Sequence, residues 1–188
     1  MFIPGLVILG CWFIFIVSWV ISAFAVKATA ERQSFGSSLA YRLPCVIGGL
    51  LVAKFRQNPD LLNIQITPWT DFTVWLGPAV CVAGLGVALW SRWTLGGNWS
   101  SDVRFKQGHQ LIRKGPYRFV RHPIYTGILM MCAAPAVQFG FLHCWLGFLL
   151  IGIGLWIKLK QEETVMLQHF PEYSEYRKQV KALVPFVV

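Results

Sequence analysis

The residues of this chain best equipped for chemistry fall in two places. One is Gly115-Pro-Tyr-Arg-Phe-Val-Arg-His-Pro-Ile-Tyr-Thr-Gly127, which sets guanidinium groups, an imidazole and two phenols at the mouth of a long apolar run. The other is the far end of that run, where Lys158, Glu162 and Glu163 follow. Ionisable groups at a membrane boundary are costly to place, so such a gathering reads as a site rather than an anchor. Arg121-His122-Pro123 begins a predicted helix with proline in its first turn, where the free end of the helix attracts carboxylates and an arginine can grip one with two parallel hydrogen bonds. Lys158 and Glu162 stand four apart and share a helical face, with Glu163 turned by about 100°. Each group has a plainer explanation as well. Lysines snorkel at helix ends, and Arg118 and Arg121 would suit orientation alone. That explanation does not reach His122 or the tyrosines that flank it, Tyr117 and Tyr125.

Neither a metal site nor a redox dithiol is expected. His109, His122, His143 and His169 are scattered, with no His-x-x-x-His pair, and His143 belongs on the opposite face from the others. Cys11, Cys45, Cys81, Cys132 and Cys144 lie in or beside apolar runs without Cys-x-x-Cys spacing and read as packing residues. There is no phosphate-cradling Gly-x-Gly-x-x-Gly, and Gly84-x-Gly86 and Gly152-x-Gly154 suit close helix packing.

The elements that must position these groups are membrane helices. With 188 residues, 55% hydrophobic and 13% charged, the chain reads as one compact all-α, polytopic membrane domain, 1–188, with three spans in 1–91 and a loop, hairpin and tail in 92–188. Apolar stretches at 2–26, 38–55, 72–91, 124–141 and 144–159 predict about five transmembrane helices, the second interrupted by Arg42 and Pro44. The first could pass for a secretion signal, but no positive charge precedes it and it is too long for a signal core, so a retained span is expected.

From Ile124 to Ile157 there are 34 residues without a formal charge. As one helix they would measure about 51 Å, against a bilayer core of ~30 Å. They must therefore fold back, near Gly140 to His143, which brings Arg121-His122 and Lys158 to Glu163 to one membrane face. The loop from Arg92 to His122 carries seven basic residues and one acid. With five spans this puts the N-terminus outside and the site and C-terminus in the cytoplasm. The net charge of +9 is thus spent on orientation, and nucleic acid is not an expected partner. The sequon Asn98-Trp-Ser100 falls in the loop assigned to the cytoplasm and is discounted.

Gly108 to Gly127, followed by Glu162-Glu163 and Phe170-Pro-Glu-Tyr-Ser-Glu-Tyr176, resembles the isoprenylcysteine carboxyl methyltransferase family, with related membrane phospholipid methyltransferases sharing the outline. The likeness runs from Leu95 to Phe186; the first half matches only as apolar spans. It implies S-adenosylmethionine as cofactor, S-adenosylhomocysteine as product, and a cytosolic pocket. The cofactor contacts it implies are His109, Gln110, Leu111, Ile112, Tyr117, His122, Pro123, Ile124, Tyr125 and Glu162, with Glu163 beside them. Arg121 and Lys158 are expected to orient the acceptor, Lys158 standing where the family has an arginine, which keeps the charge but loses the two-pronged grip. The first expected acceptor is the carboxylate of a prenylated cysteine. A phospholipid amine or a small thiol comes next, and a sterol-reductase-like enzyme using NADPH or a non-catalytic scaffold lies further off. The tail Val184-Pro-Phe-Val-Val188 carries no prenylation motif of its own.

Overall fold

The computed structural model describes residues 2–23, 35–54, 61–99 and 111–185. Among these the structure is helical, with two isolated β-bridges and no strand. The helices are α1 (Phe2–Ala23), α2 (Phe35–Val52), α3 (Asp71–Leu95), α4 (Pro123–Phe139), α5 (Leu142–His169) and α6 (Tyr173–Gln179). Three are long and apolar enough to cross a membrane, in α1, α3 and α5, while α2 and α4 are shorter apolar helices.

The boundaries differ from the sequence reading where charge was taken for a helix end. α2 begins at Phe35 and passes through Arg42 and Pro44 without a break. Proline is tolerated in an apolar helix whose neighbours pack against it. α5 continues well past residue 159 to His169, because Gln161, Glu162, Glu163, Met166 and Leu167 end the apolar run but are good helix formers. At 28 residues α5 is about 42 Å long, so its last turns reach beyond a ~30 Å core.

The fold-back falls where the uncharged run requires it. α4 ends at Phe139, Gly140 takes the left-handed conformation (φ 71°) and returns its N–H to Ala136, and α5 starts at Leu142. A Cβ on Gly140 would lie 2.2 Å from the Thr67 carbonyl oxygen, so the turn needs glycine for space as well as for its φ. That turn is pinned by the α2–α3 connection: Ile66 N–H donates to Gly140 O at 2.7 Å and Leu142 N–H to Ile64 O at 2.8 Å. His143 lies at this end, buried, with Nδ1 2.8 Å from Leu51 O.

Helix order in space differs from order in sequence. α3 packs chiefly on α4 and α2 on α5; α1 lies on α3, and the α4–α5 hairpin joins the two pairs. α1 and α2, consecutive in the chain, therefore lie at opposite edges. Both main pairs approach through glycines. A Cβ on Gly127 would fall 2.5 Å from Gly84 O and 2.8 Å from Ala88 N, and one on Gly147 would fall 2.6 Å from Gly48 O. Apolar helices without hydrophobic drive between them associate through such close backbone contact. Cys11, Cys81, Cys132 and Cys144 are buried and Cys45 is partly so; all five are free thiols that fill the interior.

Because backbone atoms on α3 cannot yield cheaply, Gly127→Ala is expected to destabilise by about 1–3 kcal/mol, a fall in melting temperature of roughly 2–10 °C. Gly86, where an added Cβ meets nothing within 4 Å, is the control. Thermal unfolding in detergent should show Gly86→Ala unchanged or slightly raised, and equal melting of the two variants would refute the packing account.

Candidate functional site

His122 is the residue immediately before α4, and its backbone is not helical (φ −124°, ψ 59°). It is fixed there from two sides. Pro123 opens the helix, and the chain near the C-terminus returns to lie against residues 120–122: Arg121 N–H donates to Lys181 O at 2.8 Å and His122 N–H to Ala182 O at 2.9 Å. Val120 and Lys181 form the parallel bridge of this contact.

So held, the imidazole faces two consecutive carboxylates of α5. Its Nδ1 lies 3.6 Å from Glu162 Oε2 and its Nε2 lies 3.6 Å from Glu163 Oε1. These are ion-pair distances, too long for hydrogen bonds, and His122 Nε2 is buried with no hydrogen-bond partner among the described residues. The Tyr125 ring lies parallel to the imidazole, 5.5 Å away, and its hydroxyl donates to Glu162 Oε1 at 2.6 Å. The proposition read from the uncharged run, that the hairpin gathers the imidazole–guanidinium group and the acidic extension at one end, is what the coordinates show.

The two glutamates have different surroundings. The Glu162 side chain keeps 22% of its surface accessible, and the Glu163 side chain 3%. Glu163 Oε1 accepts from Arg121 Nε at 2.7 Å, with Arg121 Nη2 at 2.6 Å and the Tyr173 hydroxyl at 3.4 Å. Arg177 Nε lies 3.5 Å from Oε2. Arg121 also donates through Nη1 to the carbonyls of Arg177 and Val180, so its fork is occupied by protein groups.

The other expected site residues take varied positions. Lys158 Nζ lies over two rings, 5.4 Å from the centre of Tyr41 of α2 and 5.6 Å from that of Tyr125. Tyr117 is buried in a short turn, its hydroxyl 3.5 Å from Ser91 O and its carbonyl accepting from Tyr176. Pro123 and Ile124 are buried, Ile124 packing with Leu155, Leu159 and Ala182. Leu111 and Ile112 are half-buried, and His109 and Gln110 lie outside the described residues. His169 is half-buried at the end of α5, its Nδ1 2.9 Å from Val165 O.

Sequence reading had given no role to Tyr41, Tyr173, Tyr176 or Arg177. Tyr173 and Tyr176 stood in the run Phe170 to Tyr176 that carries the resemblance; three apart, they share one face of α6 and are both buried. Burial raises the Tyr173 and Tyr176 hydroxyls, Tyr176 to about 12, so both stay protonated donors at neutral pH.

Burial would discharge His122, but its contacts with Glu162 and Glu163 and their negative charge outweigh that and raise its pKa above the ordinary histidine value. The sign of the linkage follows. Stability from the imidazolium is complete below the unfolded value near 6.5 and is lost as pH rises through the higher folded value.

The family model for the isoprenylcysteine carboxyl methyltransferase (ICMT) family matches residues 76–168, which runs from α3 through the site to the end of α5. An all-helical membrane protein with this hairpin site is the class defined here, and over residues 76–168 the chain is similar to the ICMT family. Similar proteins include the uncharacterized protein YpbQ of Bacillus subtilis, 30% identical over 37% of this chain and 39% of that protein. The protein-S-isoprenylcysteine O-methyltransferase of Homo sapiens is 29% identical over 65% of this chain and 43% of its own length. A probable protein-S-isoprenylcysteine O-methyltransferase of Oryza sativa subsp. indica is 28% identical over 62% of this chain and 63% of its own length. The chain thus spans less than two thirds of each of these relatives.

The stabilisation lost on His122→Gln, measured as the difference in detergent melting temperature from the unmodified chain, is expected to be larger at pH 6 than at pH 9. A difference that grows with pH would mean that the imidazole is held neutral.

Proposed function

We propose that this protein transfers a methyl group from S-adenosylmethionine to a lipophilic acceptor, with the carboxylate of an S-prenylated cysteine as the favoured substrate. The observation that carries the reading is the half-open Glu162 carboxylate beside His122 at the shared end of α4 and α5. The match of residues 76–168 to a methyltransferase family model and the names of the human and rice relatives support the substrate class.

The residues present fit the cofactor. Among the described residues Glu162 accepts from Tyr125 at one oxygen and has the imidazole near the other, which leaves acceptor capacity for an ammonium or a ribose hydroxyl. His122 Nε2, buried and without a hydrogen bond, is a polar atom of the same wall. S-adenosylmethionine supplies an electrophilic methyl group on a sulfonium, released as the thioether S-adenosylhomocysteine when the acceptor oxygen takes the methyl.

The chain's own groups then bind, align and exclude water. Glu162 and His122 hold the cofactor, and Tyr117 and Tyr125 wall it. Lys158, between Tyr41 and Tyr125, is the cation placed to draw the acceptor carboxylate inward. A carboxylate is nucleophilic without deprotonation, so no general base is required, and the barrier falls mainly through in-line alignment in a dry site. In this reading the N-terminus is outside, the site faces the cytoplasm, the cofactor enters from water and the acceptor from the bilayer.

Labelled methyl transfer by the chain in detergent, offered an S-prenylated cysteine or phosphatidylethanolamine, tests the proposal. Transfer to the prenylated acid is expected. Glu162→Gln should weaken S-adenosylhomocysteine binding roughly 10- to 100-fold, the loss of a charge-assisted hydrogen bond. No transfer to the acid, or undiminished binding by the variant, would end this reading.

A further inference from the structure

Adjacent glutamates in one site invite the same role, yet their surroundings separate them. Glu162 faces an accessible edge, whereas the Glu163 side chain is 3% exposed and is flanked, among the described residues, by Arg121, Tyr173, Arg177 and His122. Every strong contact of Glu163 leads towards the C-terminal segment. Arg121 passes from its carboxylate to the carbonyls of Arg177 and Val180, and Tyr173 and Arg177 belong to α6. The segment that follows is itself bonded across the site: Lys181 O and Ala182 O accept the N–H groups of Arg121 and His122, and Leu183 O accepts from the Thr126 hydroxyl at 2.7 Å. Ala182 is 4% exposed and packs with Ile124, Tyr125, Leu155 and Leu159.

We infer that Glu163 and Arg121 form a latch that fastens residues 180–183 as a strap across the site, and that Glu163 is a positioning residue for His122 rather than a ligand-binding group. Stripped of Glu163, Arg121 keeps its carbonyl contacts but loses its buried counter-charge, and the strap loses its fixed point. Since that strap supplies the backbone acceptor for His122, loosening it frees the imidazole to turn from Glu162. The groups facing His122 are Glu162 and Glu163 from α5 and Tyr125 from its own helix; Arg121, Tyr173 and Arg177 face Glu163. The part of the inference that concerns His122 rests on the proposed cofactor site. The latch itself does not.

The test uses the full chain in detergent. Tryptic cleavage after Lys181, read by mass spectrometry, reports release of the strap, and S-adenosylhomocysteine affinity from pH 6 to 9 reports His122. Glu163→Gln is expected to speed cleavage at least about tenfold, and Glu163→Asp to restore much of the protection. In Glu163→Gln the fall of affinity with rising pH should begin at lower pH, because one of the two carboxylates holding the imidazolium is gone. Glu162→Gln should lose affinity while its strap stays protected. If Glu163→Gln does not fold, Arg121→Lys, which keeps the charge but loses the fork, should give intermediate cleavage. A strap as protected in Glu163→Gln or Arg121→Lys as in the unmodified chain overturns the latch, as does equal release in Glu162→Gln. An unchanged pH profile in Glu163→Gln overturns the positioning role. If the unmodified chain binds no S-adenosylhomocysteine, the cofactor reading and the positioning role fall together, while cleavage still decides the latch.

Discussion

Two like charges on consecutive residues of α5 meet one imidazole, and the arrangement around them follows from the need to neutralise both. Successive residues on a helix diverge by about 100°, so a single partner that faces both must lie between the two directions. His122 occupies such a place. It is the last residue before α4, and its non-helical backbone sets the ring across the two carboxylates. Even a protonated imidazole does not balance two anions at low exposure, and Arg121 and Arg177 lie against Glu163 on the sealed side. A buried carboxylate is tolerable only when its partners are close and well directed, which is what the returning chain provides.

Rigid support for that balance comes from backbone contact. The glycines of α3 with α4, and of α2 with α5, bring the main chains together, while the turn at Gly140 is pinned by residues 64–66 at the far end. Each arm of the hairpin is thereby held twice, once by its partner helix and once at the turn. Its free ends, where His122 and Glu162 sit, are placed by the lengths of α4 and α5 rather than by loop conformation.

The hairpin and the meeting of its ends were legible because they follow from a conflict of lengths: 34 uncharged residues exceed one crossing, and only a fold-back near Gly140 resolves it. The identity of the chemical groups was legible for the same reason, since ionisable residues stand out in an apolar chain. Two features were not, and a third only in part: the shared face of Lys158 and Glu162 already required α5 to continue past the apolar stretch, but its run to His169 rests on helix propensity that an apolar window does not register. The return of residues 180–183 leaves no mark in sequence, because its bonds to residues 121 and 122 are main-chain bonds that any side chain could make. Pairing among helices was equally hidden, for apolar faces look alike to a hydropathy count, and only the glycines on α2, α3, α4 and α5 mark which surfaces touch.

The placement of α1 and α2 at opposite edges has a consequence for how the molecule is made. α1 finds α3 as soon as the third helix enters the bilayer, but α2 must wait for α5, whose first residue follows roughly 90 positions later. At a synthesis rate of ~5–20 residues per second that interval is on the order of ten seconds. Throughout it α2, with Arg42 and Pro44, has not yet met the α5 backbone against which Gly48 packs. Gly48 then meets Gly147 only once α5 is laid down, so the end of the hairpin that carries His122 and Glu162 is completed only after α5 has been made.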